Sequence, residues 1–540
     1  LKAIALLQAD LSVTPLGTRS RLAADLAGTP VLRRTVERLQ NCTRLADIVI
    51  AHPPVQAAAV NDLLTGLRVT LEARDIAAPY ADLVRVARKW SLDGWRGGIG
   101  GSTSFDEYLN VVLAAELAER LGADLVVSIP PGAAVIDPGL VDAMIAHAET
   151  NQEDARIIFT QTPPGLAPFV IQKNTCKQLA GHRLPPGWTL AYKPTEPRPD
   201  LTFSRCCFPV EQAARYASGR LTADTDRSFE MLKGIIRDHA DGSATDVGRW
   251  MLAHENDNSE LPREVEIELT TADPLPATQH RPRGSRIPTR GPLALEAVDR
   301  IAADMARLDD SLVVLGGHGE PVLHPNFADI LQRIRSAGVY GLTVYTTGQQ
   351  LDDSAIAAMV ANQMDAVVVH LDAWTQETYA RIHGGGELGV AVTAIERLVA
   401  AREAAHAPAP LIVPQFTKSK LNVHELDAFY DGWIRRIGAA VVAGHAHYAG
   451  TLEELGCIDM TPPARAACRR LSNRLMVLAD GSITACDQDV TGGLALGHLA
   501  THTLRDVWNG PAALKLRASH AAGAWSNHSP CNRCAEWHRP

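Results

Sequence analysis

The last quarter of the chain places Cys468, Gly481, Cys486 and then Cys531 and Cys534 in an order that ties distant segments to one point. Twelve residues separate Cys468 from Gly481, four more lead to Cys486, and two lie between Cys531 and Cys534. A Cys pair two residues apart can clamp one metal or one cluster edge, and two more thiolates complete a four-coordinate set. Spacing alone leaves two occupants open, a zinc ion in a structural ribbon or an iron-sulfur cluster. Cys42, Cys176, Cys206, Cys207 and Cys457 fall outside the pattern. They read as small buried or surface thiols, and the adjacent Cys206 and Cys207 make no disulfide framework.

A chain of 540 residues should hold several domains, each with its own core. Its 46% hydrophobic and 21% charged residues are ordinary globular values. A formal charge of −9 argues against a general nucleic-acid or acidic-membrane binder. No apolar run is long enough to span a bilayer, and the opening residues from Leu1 read as a strand rather than a signal peptide. Leu1 in place of methionine points to trimmed or fragment numbering. With free thiols, the expectation is a soluble cytoplasmic protein.

From about residue 263 to 445, short apolar runs alternate with amphipathic stretches, as in repeated βα units. The runs predict strands at Val265–Thr270, Leu312–Leu315, Leu342–Tyr345, Ala366–His370, Leu411–Val413 and Ala440–Val442. Helices are expected between them, for instance Leu293–Leu308 and Val390–Ala405. The order α/β domain (1–255), partial (β/α)6 barrel (263–445) and cysteine-bearing tail (446–540) follows, with the polar stretch His254–Pro262 as the first boundary.

The tail resembles a SPASM domain, on the cysteines, the turn at Gly481, the segment Thr503–Trp508 and Trp537 in order. The resemblance implies one auxiliary [4Fe-4S] cluster on Cys468, Cys486, Cys531 and Cys534. The barrel resembles radical SAM proteins. Gly316, Gly317, Gly319 and Glu320 look like the segment that, in that family, meets the amino group of S-adenosylmethionine. Thr346–Gly348 and His370–Ala373 stand where further family motifs fall. One departure is decisive. The family's C-x3-C-x2-C run after the first barrel strand is replaced by Asp273, Ala277 and His280. Ala277 cannot ligate, and two non-thiolate ligands are a poor substitute for three cysteines that leave one iron open. The replacement predicts a chain that does not cleave S-adenosylmethionine by the usual route, so binding of that cofactor is an open expectation. Asp273 and His280, helped by His318, could hold a different metal or be exposed loop residues. Arg281, Arg283, Arg286 and Arg290 make a basic loop that reads as a solvated turn, or as an anion site if set in a pocket.

The N-terminal half resembles sugar-nucleotide and cytidylyl transferases, a doubly wound nucleotidyltransferase-like fold. The resemblance rests on strand Ala3–Leu7, then Gly17, Arg19 and Arg21, then a helix through Leu39. Gly17, Arg19 and Arg21 would hold a nucleotide by backbone amides and an arginine. Two departures stand out: the family lysine is replaced near Asp25, and Gly132 stands where a magnesium-binding aspartate should fall. Asp137 is expected to cap a helix beginning at Pro138. The run Trp90–Gly101 holds five glycines and two tryptophans. It reads equally as an anion-binding loop with stacking aromatics or as a surface loop anchored by half-buried tryptophans.

Taken in order, the three parts look like a spiro-SPASM type of radical SAM protein. The expected function is an iron-sulfur protein acting by electron transfer or by binding an unknown peptide, protein or small molecule, with no membrane or nucleic-acid partner. Two alternatives stay open. One is a nucleotidyl- or sugar-nucleotide-handling enzyme in the N-terminal domain. The other is an altered form of an active radical SAM enzyme that modifies a peptide or small molecule.

Overall fold

The computed structural model describes residues 1–196, 199–255, 259–459 and 461–539. Asn256, Asp257 and Asn258, within the expected boundary segment, lie outside the described residues. The chain divides into two compact units, Leu1–Asn256 and Asp257–Pro540.

The first unit is built on strands β1 (Ala3–Gln8), β2 (Leu45–His52), β3 (Thr70–Ala73), β4 (Leu125–Ser128), β5 (Ile157–Ile158) and β6 (Phe169–Gln172). Their order across the sheet is β3-β2-β1-β4-β6-β5. β1, β2, β3 and β4 run parallel, whereas β6 pairs antiparallel with both β4 and β5. The strand run Ala3–Leu7 is buried throughout. Such a continuous apolar run fits a parallel strand covered on both faces. The helix expected through Leu39 is Val31–Leu39. Asp137 caps Pro138–Thr150, its carboxylate accepting from the Gly139 amide at 2.9 Å. The order reverses at β1, with crossovers leaving it on both sides, and such a switch point opens a crevice at the carboxyl ends of the strands.

The second unit begins with six parallel strands in sequential order: β7 (Glu264–Glu268), β8 (Leu312–Gly316), β9 (Gly341–Thr346), β10 (Ala366–His370), β11 (Leu411–Lys418) and β12 (Val441–Gly444). All six expected strands are present within a few residues, and the two named helices form at Leu295–Met305 and Leu388–Ala404. The sheet does not end at β7. β13 (Arg474–Val477) pairs parallel with β7, and β14 (Ser482–Thr484) and β15 (Ala495–His498) extend it antiparallel. Gly481 makes the tight turn between β13 and β14 at φ +89°, a conformation that glycine adopts at no steric cost. Barrel and tail therefore share one nine-stranded sheet. The Trp508 indole donates to the Ser259 carbonyl at 2.7 Å, and the Leu504 amide donates to Asp304 at 2.8 Å, fastening the tail helix Leu504–Trp508 to the barrel.

Candidate functional site

Cys468, Cys486, Cys531 and Cys534 line one pocket in the tail. They come from three local devices. Cys468 precedes the turn Arg469–Ser472, Cys486 follows β14, and Cys531 opens the short turn Cys531–Arg533 that Cys534 closes. Leu471, Ala485, Leu494 and Trp537 complete an apolar wall. Burial pushes the Cys486 thiol well above its ordinary value and Cys531 up to about 12. Loading such a site releases protons, because metal ligation takes thiolates. Arg470 lies beside Cys486 and Cys468 and pairs with Asp487.

Among the described residues, no group of three or more His, Cys, Asp or Glu side chains is arranged to hold a single metal ion. A four-iron cluster asks for another arrangement, four thiolates spread round a cage, each on its own iron. The donor set and the cavity they surround fit that group, which when bound supplies one-electron redox chemistry. Cys457 lies outside the cavity lining, and Cys42, Cys176, Cys206 and Cys207 are free thiols in the other unit.

At the carboxyl end of the barrel, the side chains of Asp273 and His280 are drawn inward while Ala277 stays exposed, and the expectation of exposed polar residues there is corrected. The Asp273 carboxylate meets the Arg283 guanidinium at 2.7 Å with 2% of its side chain exposed. His280 is buried, with Nε2 2.9 Å from the Ser419 hydroxyl and Nδ1 3.3 Å from the Asp372 carboxylate. Arg281 donates to the same carboxylate at 3.2 Å, and Asp372 also accepts the Thr417 amide at 2.7 Å. Burial pushes the Asp372 carboxyl up, but His280 and Arg281 more than offset it and hold it well below the usual range. Ala277 packs against Gly384, where an added side-chain carbon would stand 2.6 Å from the alanine methyl.

Arg290 is likewise buried, donating to Glu268 at 3.0 Å and to the Val490 carbonyl at 3.0 Å. The solvated-turn reading of Arg281, Arg283 and Arg290 is therefore corrected as well. An arginine buried in a protein needs a counter-charge, and each finds one on the chain itself. No metal set forms from Asp273, His280 and His318. Burial first and Arg283 second lower the His318 imidazole to about 3.

The glycines of the 316–319 segment allow a close approach, and what approaches is the chain's own first barrel strand. Gly317 stands at φ +74°, and a side-chain carbon there would meet Glu268 at 2.7 Å. At Gly319 such a carbon would overlap the Thr270 carbonyl oxygen. Glu320 is held by the Thr347 amide and hydroxyl at 2.8 and 2.7 Å through Oε2. Its Oε1 is buried with no partner, and burial raises the carboxyl.

In the first unit, a cleft of ≈ 200 Å³ opens at the switch point, lined by Gln8, Asp10, Arg21, Arg85 and Tyr108 among others. Arg21 reaches it and pairs with Asp226 at 2.5 Å. Gly17 sits at φ +81° over the Arg85 side chain, and Arg19 is exposed outside the lining. A side-chain carbon at Gly132 would overlap the Thr222 carbonyl oxygen, so no aspartate fits there. Behind the cleft, Arg220 binds both Glu107 and Asp224 at 2.5 Å, and Arg88 meets Glu107 at 2.7 Å, all essentially inaccessible. The Trp90–Gly101 loop is anchored rather than open to a ligand. Trp95 stacks on Phe159 at 5.1 Å, and Arg96 grips Asp200 through two contacts of 3.0 and 2.8 Å.

Sequence reasoning singled out Asp372 only as part of the His370–Ala373 motif and missed Glu268, Arg470 and His520. Of those three, only Arg470, two residues beyond a cysteine, carried a local signal. No helix among the described residues is long and apolar enough to cross a membrane.

Comparison with known proteins finds two domain matches in the second unit. Residues 279–406 match the radical SAM superfamily, and residues 468–535 match SPASM, an iron-sulfur cluster-binding domain. An uncharacterized protein of Treponema pallidum is 25% identical over 315 residues, which are 55% of this chain and 85% of that one. A tungsten-containing aldehyde ferredoxin oxidoreductase cofactor-modifying protein of Pyrococcus furiosus is 27% identical over 157 residues, 28% of this chain and 44% of that one. Among solved structures, Streptococcus suis SuiB bound to precursor peptide SuiA aligns at a TM-score of 0.41 and 12% identity. It covers 61% of this chain and 87% of that one. A cytidylyltransferase from Leptospira borgpetersenii aligns at 0.32 and 15%, covering 47% of this chain and 95% of that one. The chain thus carries a stretch that matches the radical SAM superfamily, followed by one that matches the SPASM iron-sulfur cluster-binding domain.

Proposed function

We propose that this protein holds one [4Fe-4S] cluster on Cys468, Cys486, Cys531 and Cys534 and does not cleave S-adenosylmethionine by the family's usual route. In this reading it works as an electron-transfer or partner-binding protein for an unidentified peptide, protein or small molecule. One observation carries the reading. The loop that would hold the barrel's own cluster is closed by Asp273–Arg283 and by His280 and Arg281 on Asp372, while the four tail thiols surround a cavity.

Iron, sulfide and zinc content of the anaerobically purified full chain, with the electron paramagnetic resonance spectrum of the reduced sample, tests it. The expected result is iron for one cluster, lost in Cys531→Ala, and no 5′-deoxyadenosine from S-adenosylmethionine under reduction. A second cluster with cofactor cleavage would overturn the inactive barrel. Zinc without iron would overturn the cluster.

The first-unit cleft favours a second reading, a nucleotide or sugar-nucleotide site that includes Arg21. Magnesium-dependent binding of a nucleoside triphosphate supports it, and no binding at millimolar ligand removes it.

A further inference from the structure

The cavity of the four cysteines is also lined by Arg465, Arg470, Gln488 and His520. Each carries a buried polar atom with no hydrogen-bond partner: Nε of Arg465, Nε of Arg470, Oε1 of Gln488 and Nε2 of His520. Arg470 is 9% exposed and His520 2%. Buried N–H groups are nearly always paired, so three unpaired donors and one acceptor on one cavity wall point to an occupant rich in acceptors.

The tautomer of His520 follows from its other nitrogen. The Cys468 amide donates to Nδ1 at 3.4 Å, so the ring proton of the neutral imidazole stands on Nε2, the atom without a partner. The Arg470 guanidinium is similarly divided. Its Nη1 is taken by Asp487, and its Nε–H is left over beside Cys468 and Cys486. Arg465 is tied down through Nη2 to the Cys531 carbonyl at 2.8 Å and lies over the Trp525 ring, again with Nε spare.

We propose that Arg470 and His520 donate hydrogen bonds from Nε–H and Nε2–H to the sulfurs of the cluster and thereby raise its reduction potential. The inference rests on the cluster reading given above. A donor aimed at a cluster sulfur stabilises the reduced form, which carries one more negative charge, over the oxidised form. Because Asp487 balances the Arg470 charge, the directed N–H carries much of the effect. His520, being neutral, acts through its N–H alone.

Potentiometric titration followed by electron paramagnetic resonance, on the anaerobic full chain and on Arg470→Gln, Arg470→Lys and His520→Leu, tests the inference. All variants should keep wild-type iron and sulfide. The midpoint should fall in His520→Leu and in Arg470→Gln, by up to the tenfold change that corresponds to about 59 mV for one electron. Arg470→Lys should fall nearly as far, because it keeps the charge that Asp487 already balances but loses the Nε–H. Full iron with unmoved midpoints in both His520→Leu and Arg470→Gln overturns the inference and leaves the cluster reading standing. Wild-type protein without iron overturns the cluster reading itself, and this inference with it. If Arg470→Gln does not assemble, His520→Leu decides the question, since it removes a donor and no charge.

Discussion

Asp273 and Arg283 form an ion pair at 2.7 Å with 2% and 6% of their side chains exposed, on the loop where the family's cluster cysteines would begin. Three positions without a ligating cysteine would leave a gap, but the chain has filled it. His280, in the third position, is bound between Ser419 and Asp372. Both polar replacements thus belong to buried networks that a cysteine cannot complete.

Restoring cysteine at 273, 277 and 280 should therefore destabilise the chain rather than revive it. Asp273→Cys strands the Arg283 charge, and breaking one partner of a buried pair costs about 3–5 kcal/mol. The triple variant is expected to unfold at lower denaturant than wild type and to give no 5′-deoxyadenosine. Wild-type stability together with cofactor cleavage would instead favour an altered form of an active enzyme.

Gly132 makes the same point in the first unit. Its side-chain space is taken by the Thr222 carbonyl, so Gly132→Asp must push the Thr222–Ala223 backbone away. Overpacking of this kind costs about 1–3 kcal/mol, more where the backbone must move. Thermal unfolding should shift down, and magnesium-dependent nucleotide binding should not appear. A variant as stable as wild type that gains such binding would show the position to be a vacated metal site.

The strands and helices of the second unit were legible because valine- and leucine-rich runs between amphipathic stretches admit few other folds. The cysteine set was legible because ligand spacing is local. The ionic closure was not. Arg281 and Asp372 lie 91 positions apart, and a run of arginines reads the same whether it faces water or a buried carboxylate. The unbroken sheet between barrel and tail was hidden for a similar reason, since β13 pairs with β7 across most of the unit. His520 sits within the helix Pro511–Ala521 with no motif around it.

Glu268 is the hinge pin of that shared sheet. Fully buried, it accepts from Arg290 at 3.0 Å, from the Ala479 amide of the tail at 3.1 Å and from the His318 amide at 3.2 Å. Glu268→Ala should leave two amides unmatched and Arg290 with only the more distant Asp480 carboxylate at 3.6 Å, a loss of about 3 kcal/mol. Amide exchange should accelerate in β7, in β13 and around Gly317 together. Acceleration confined to β7 would show that the tail is held without it.

Asp106 gives a pH dependence whose sign can be worked out. The carboxyl is 2% exposed, and burial raises it from 3.8 to about 6, although the Gly187 and Thr103 amides bind its charged form. A raised carboxyl favours the protonated folded state, so the group costs nothing extra below its unfolded value. The cost grows as pH rises from 3.8 and is complete above 6. It reaches about 3 kcal/mol, since each tenfold difference in proton affinity between the folded and unfolded chain is worth about 1.4 kcal/mol. Asp106→Asn removes the titration, whatever it does to the absolute stability. Amide exchange in β4, corrected for the intrinsic rate, should show opening becoming easier in wild type between about pH 4 and 7, with a flatter slope in the variant. Equal slopes would mean that Asp106 ionises at its ordinary value. A steeper slope in the variant would reverse the sign and place the charged carboxylate among the groups that stabilise the first unit.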